Sequence, residues 1–136
     1  MSKELNPIWQ HLPPTPRLPK SYDSGYAEAN EIKLWYATYG QGEPIILLHG
    51  GLANSNYWGN QIAELAQSHR VIVIDSRGHG RSTRNVNRPY SYNLMANDVV
   101  TTMDFLHVPN AAVVGWSDGA MIGLKMAINY PDRISS

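Results

Sequence analysis

At 136 residues, 43% of them hydrophobic and 16% charged, the chain has the size and composition of one ordinary globular domain, not of a disordered or fibrous segment. Eleven basic and eleven acidic residues cancel to a net charge of zero, which leaves no overall electrostatic footprint for nucleic acid or an acidic membrane. Without cysteine there are no disulfides or thiolate metal sites, and no apolar run approaches the ~20 residues of a membrane span.

Residues 1–24 hold Pro7, Pro13, Pro14, Pro16 and Pro19 and read as an irregular arm, polar and without the apolar stretch of a secretory signal, so a cytoplasmic location is expected. The remainder, 25–136, reads as one domain. Tyr26 to Glu31 and Ile32 to Tyr39 alternate loosely about a turn at Asn30, which predicts a hairpin. Gly40-Gln41-Gly42 breaks the second strand. After Pro44, the continuous run Ile45-Ile46-Leu47-Leu48 predicts a strand covered on both faces, as parallel sheets require.

A glycine-bearing loop from His49 to Asn56 follows, and Trp58, Ile62 and Leu65 then recur at helical spacing up to His69. Val71-Ile72-Val73-Ile74 predicts a second buried strand, ending at Asp75. Around it Arg70, Arg77, Arg81, Arg84 and Arg88 crowd together with only Asp75 among them, a pattern expected of a solvated loop with a few structural ion pairs. Met95, Val99, Met103 and Leu106 mark one face of a longer helix, capped by Ser91 or Asn93 and stopped by Pro109. Ala111 to Gly115 predicts a third buried strand, and Ala120 to Tyr130 a helix ended by Pro131. A hairpin followed by three strand–helix units argues for an α/β fold with parallel strands and right-handed crossovers.

The third strand runs into Gly115-Trp116-Ser117-Asp118-Gly119, which fits G-x-S-x-G between a strand and a helix. A sharp turn there strains the serine backbone and lifts its hydroxyl above the sheet, while glycines two before and two after relieve close contact. The first turn of the next helix aims unpaired N–H groups and a positive dipole end at the same point, which favours a developing oxyanion. His49-Gly50-Gly51 ends the first buried strand and Asp75-Ser76-Arg77-Gly78-His79-Gly80-Arg81-Ser82 ends the second, so all three loops leave one edge of a parallel sheet, where such sheets bind ligands.

In these three motifs, their order and their spacing, residues 24–136 resemble the N-terminal part of the α/β-hydrolase superfamily, and the elbow is similar to that of the biphenyl-hydrolase-like subgroup. The resemblance implies a serine hydrolase in which Ser117 attacks an acyl carbon and the N–H groups of Gly51 and Asp118 form the oxyanion hole, with Leu52 a weaker second donor. It implies that His49 braces the oxyanion loop and is not the base, and that the Asp75–Ser82 loop is structural, with Arg77 paired inside the fold. The implied partner is a small-molecule acyl substrate carrying an ester, thioester, lactone, amide or carbon–carbon bond. No cofactor is implied. The subgroup further implies a substrate-binding role for Asp118, as receiver of an amino group, beside its plainer role as an acid at a helix start. Trp116, with Tyr57 and Trp58, is a candidate for lining an acyl pocket. A serine at 117 counts against relatives that use an aspartate nucleophile.

Gly78 and Gly80, with Asp98 beyond them, do not make a dinucleotide fingerprint: Thr83 stands where the third glycine belongs, and no helix starts there. His11, His49, His69, His79 and His107 show no metal-ligand spacing, so no metal is expected. In the superfamily the triad acid and histidine follow the serine. After Asp118 the sequence holds one acid, Asp132, and no histidine. A serine without an adjacent base is a weak nucleophile, so the expectation is a fragment that is inactive by itself. The last predicted strand is then expected to be an exposed apolar edge that promotes self-association. The alternative is a non-catalytic remnant or half-domain that binds a partner or ligand.

Overall fold

The structure is a computed structural model and describes residues 8–136. Of the irregular arm, residues 1–7 lie outside the described residues; Ile8–His11 form one 3-10 turn and the chain then runs without regular structure up to Asp23. The stretch about Arg17 and Leu18 is seated against the domain: Leu18 packs on a core cluster and the Arg17 carbonyl fills the space where a side chain at Gly59 would stand.

Strands β1 (Asp23–Ala29) and β2 (Ile32–Tyr39) form the expected hairpin, with Asn30 and Glu31 both at positive φ, 47° and 68°, as a two-residue turn of matching twist requires. The first strand opens earlier than the alternation suggests, since Asp23 pairs with Thr38 and its carboxylate accepts from the Tyr36 hydroxyl at 3.1 Å. Strand β3 (Glu43–Leu48), helix α1 (Gly59–Leu65), strand β4 (His69–Ile74), helix α2 (Tyr92–Phe105), strand β5 (Ala112–Gly115) and helix α3 (Asp118–Asn129) follow. The sheet order is β1-β2-β4-β3-β5, antiparallel between β1 and β2 and between β2 and β4, parallel from β4 through β3 to β5.

The unbroken apolar runs are explained by cover on both faces. Ile46, Leu48, Ile72 and Ile74 face a core completed by Met95, Val99 and Met103 of α2 and by Ile122 and Met126 of α3. Ile45, Leu47, Val71 and Val73 face the other way, onto Trp58 and Ile62. Each fully buried aliphatic side chain contributes about 1.5–3 kcal/mol, so these two strands anchor everything that leaves their ends.

Three expectations need correction. The helix after Trp58 stops at Leu65 instead of reaching His69, because Gly40 and Gly42 press on the backbone from Ala66 to His69 and turn it into β4. Helix α2 stops at Phe105, ahead of Pro109: His107 adopts φ 56° and the Val108 N–H closes back on the Met103 carbonyl at 2.9 Å. Strand β5 is not buried as its apolar run suggests but is the exposed edge also expected of it, with Val114 42% exposed. The first half of that edge is nonetheless paired. Ala111 N–H donates to Arg133 and Val113 N–H to Ser136, both carbonyls of the tail, at 3.1 and 3.0 Å.

The arginine-rich stretch resolves largely into separate partners. Arg77 pairs with Asp98 inside the fold, Arg81 with buried Asp75, and Arg88 with exposed Glu31. No helix among the described residues is long and apolar enough to cross a membrane.

Candidate active site

Ser117 links β5 to α3 with φ 53° and ψ −121°, a conformation that L residues adopt only when their surroundings force it. The forcing comes from glycine packing. A Cβ on Gly115 would land on the Gly119 backbone, and a Cβ on Gly119 on the carbonyls of Leu48 and His49, so the elbow lies directly on the end of β3. The Trp116 N–H donates to the Leu48 carbonyl at 3.3 Å and fastens it there. The Ser117 carbonyl accepts the Ala120 and Met121 N–H groups at 3.0 and 3.2 Å, while its hydroxyl makes no capping bond and the residue is exposed. A glycine at 117 carries no such strain, so Ser117→Gly is expected to raise stability by about 1 kcal/mol in urea unfolding. A destabilised Ser117→Gly would show that the turn is not strained.

The loop after β3 turns tightly at Gly50-Gly51-Leu52, with Ala53 N–H donating to Gly50 O at 3.3 Å and Leu52, fully exposed, at φ 59°. Its two glycines are explained by the elbow. The indole ring of Trp116 occupies the space of a Gly50 side chain, and the carboxylate of Asp118 that of a Gly51 side chain. The residues on either side of Ser117 are thus each seated on one glycine of the facing loop. Among the described residues, the N–H groups of Gly51, Leu52 and Asp118 donate to no acceptor.

The loop from Asp75 to Ser82 braces this arrangement from below. Ser76 N–H donates to His49 Nε2 at 3.0 Å, so His49 carries its proton on Nδ1 and gives it to the Gly50 carbonyl at 2.7 Å. Both ring nitrogens are engaged, and burial holds the imidazole below its ordinary pKa, against the pull of Gly50 O and Asp75. The unfolded chain therefore binds this proton more readily than the folded one. The His49 contribution to stability is full above about pH 6.5 and is lost as the pH drops below it. His49→Gln should flatten the acid side of a plot of thermal midpoint against pH; an unchanged slope would count against a neutral, bracing His49.

Asp75 is wholly buried. Burial by itself raises its pKa, but hydrogen bonds from Ser55 and Arg81 and the Arg81 charge outweigh that and hold it below the usual range. It accepts from Ser55 N–H at 2.8 Å and from the Arg81 backbone and guanidinium at 2.8 and 2.6 Å, while the guanidinium also reaches Asn56. Arg81 lies 3.9 Å over the Trp35 ring, which adds a cation–π contact.

The geometry thus gathers Ser117, Gly51, Asp118 and Trp116 at one edge. Tyr57 joins them, its ring 6.0 Å from that of Trp116, whereas Trp58 belongs to the core. His79 donates from Nδ1 to the Arg77 carbonyl at 3.0 Å and lies 5.4 Å from the His49 ring. No side chain among the described residues hydrogen-bonds the Ser117 hydroxyl. Sequence reasoning passed over Tyr92, whose hydroxyl donates to Asp118 Oδ1 at 2.7 Å, and carried no signal for it. It also left Arg77 without a named partner. Asp98, three residues after Met95 on the apolar face of α2, is an acid where only a buried cation would keep it.

The profile of the α/β-hydrolase fold matches residues 43–136. The chain belongs to the α/β-hydrolase fold family. Within it, the chain is 37% identical over 111 residues to the RutD protein of Azorhizobium caulinodans, whose name proposes carbamate hydrolysis, covering 82% of this chain and 42% of that one. It is 36% identical over 109 residues to 3-oxoadipate enol-lactonase 2 of Acinetobacter baylyi, covering 79% and 40%. Among solved structures, Est816, described as an N-acyl homoserine lactone degrading enzyme, superposes with a TM-score of 0.78 at 40% identity, covering 81% of this chain and 42% of Est816. This α/β-hydrolase chain spans about two fifths of the length of the relatives it matches.

Proposed function

We propose that Ser117 is the nucleophile of a hydrolase acting on an ester, a lactone or a related acyl bond. The observation that carries this reading is the strained backbone of Ser117, in an elbow seated on the end of β3 and the loop after it, with its hydroxyl making no capping bond. The relatives named for lactones and for a carbamate are consistent with it, because each of those bonds joins an acyl carbon to a heteroatom leaving group.

In the proposed reaction Ser117 Oγ attacks the acyl carbon, and the carbonyl oxygen becomes an oxyanion facing the N–H groups of Asp118 and Gly51. The Oγ proton passes to a base and then to the leaving oxygen or nitrogen as the bond to it breaks, leaving the acyl group on Ser117. Water adds to that ester by the same route in reverse, releasing the acid and restoring the hydroxyl. His49 is an unsuitable base, since both its nitrogens are committed to the backbone. We place the acid and histidine of the triad outside these 136 residues, and the sequence by itself is then a slow catalyst: losing the histidine from such a triad costs on the order of 10⁶ in turnover.

Exposure to 4-nitrophenyl acetate tests the reading. Acetyl transfer to Ser117, detected by peptide mass and absent in Ser117→Ala, supports it; acetylation confined to lysines and other serines overturns it.

A narrower reading concerns Asp118, whose carboxylate lines a cavity of about 430 Å³ with His79, Tyr90, Ser91, Tyr92 and Met95. A carboxylate at that wall favours substrates with an α-amino group. Asp118→Ala should then reduce the preference for amino-acid esters over plain esters, and an unchanged preference would remove the idea.

A further inference from the structure

The Asp118 carboxylate is held from two sides. Its Oδ1 accepts the Tyr92 hydroxyl at 2.7 Å, and its Oδ2 lies in the space a Gly51 side chain would need. Tyr92 is the first residue of α2, fixed there because Ser91 Oγ caps the Leu94 N–H at 3.1 Å, and the ring packs against the core under the sheet. The helices are joined twice more along the same seam, by Asn97 to the Tyr130 hydroxyl at 2.8 Å and by Asn129 to Asn93 at 3.2 Å. Tyr92 is therefore a fixed post, and Asp118 reaches from it to the oxyanion loop.

The contact matters because one residue carries both groups. Asp118 presents a backbone N–H where the oxyanion is proposed to form and a carboxylate against the loop that presents the other N–H. A carboxylate free to swing would change the spacing between the two donors and set its own charge against the developing one. The Tyr92 hydroxyl is the hydrogen-bond donor that holds it among the described residues.

We propose that Tyr92 is a positioning residue: by donating to Asp118 Oδ1 it pins that carboxylate against Gly51 and so keeps the elbow and the oxyanion loop in register. Its consequence for catalysis rests on the reading of Ser117 as nucleophile, whereas the pinning itself does not.

Tyr92→Phe tests it while keeping the packed ring. In nuclear magnetic resonance spectra of the whole chain, the amide signals of Gly51, Leu52 and Asp118 should shift and the Gly51 amide should exchange faster with solvent. The bond to Asp118 and its charge hold the Tyr92 phenol above its ordinary pKa, so Asp118→Asn should bring the phenol titration back down. A role in packing alone would not move that titration. Modification of Ser117 by a fluorophosphonate should slow by about threefold to tenfold in Tyr92→Phe, the effect of one hydrogen bond. Unmoved Gly51 and Leu52 amides in Tyr92→Phe, or an unmoved Tyr92 titration in Asp118→Asn, overturn the proposal. Shifted amides with no modification of Ser117 in the unaltered chain sustain the pinning and instead refute Ser117 as nucleophile.

Discussion

Arg77→Ala is expected to destabilise the chain by about 3–5 kcal/mol, a large part of the stability of a single domain. Arg77 is fully buried and grips Asp98 through Nε and Nη2 at 2.6 and 2.8 Å, and Asp98 also accepts from Asn30 Nδ2 at 2.7 Å. One cluster thereby joins the hairpin tip, the middle of α2 and the loop that braces the Gly50-Gly51 turn. Removing the guanidinium leaves a buried carboxylate with a single amide for company. The loss comes from that stranded charge more than from the ion pair itself, so a double replacement, Arg77→Met with Asp98→Leu, should recover most of it. Urea unfolding of the two variants distinguishes the cases. If Arg77→Ala costs under about 1 kcal/mol, the pair behaves as a surface ion pair and the buried arrangement is wrong.

Gly119→Ala should cost about 3 kcal/mol, or prevent folding. A methyl there meets the carbonyls of Leu48 and His49, and backbone in the centre of a parallel sheet has no room to retreat. Gly123 supplies the comparison within the same helix. A Cβ at 123 would approach the side chain of Val113 at 3.3 Å, which can give, and alanine is favoured over glycine inside a helix by about 1 kcal/mol. Gly123→Ala is expected to be neutral or stabilising. Equal effects of the two replacements in thermal unfolding would mean that the elbow does not lie on the end of β3 as described.

Much of this architecture was legible in the residues because it depends on local pattern. Ile45 to Leu48 and Val71 to Ile74 announce strands covered on both sides, and both cores meet on them. Asn30 announces its turn. The three loops that share an edge are predicted as soon as the strands are parallel, and Ser117 takes the strained conformation that its neighbouring glycines suggest. What stayed hidden depends on contacts between segments far apart in sequence. Helix α1 ends early because Gly40 and Gly42 reach it from another loop. The fit of Trp116 and Asp118 onto Gly50 and Gly51, and the reach of Tyr92 to Asp118, involve pairs whose chemistry gives no advance notice of their meeting.

Modification by a fluorophosphonate, mapped by peptide mass with and without added imidazole, tests the central claim most directly. Oxyanion donors and binding retain about 10³–10⁴ of acceleration when a triad member is missing, so Ser117 should be modified slowly but ahead of every other serine. Imidazole in solution should speed the reaction at Ser117 by standing in for the base. Modification spread over several serines, or a Ser117 that stays unreacted even with imidazole, would contradict the claim that this elbow holds a nucleophile.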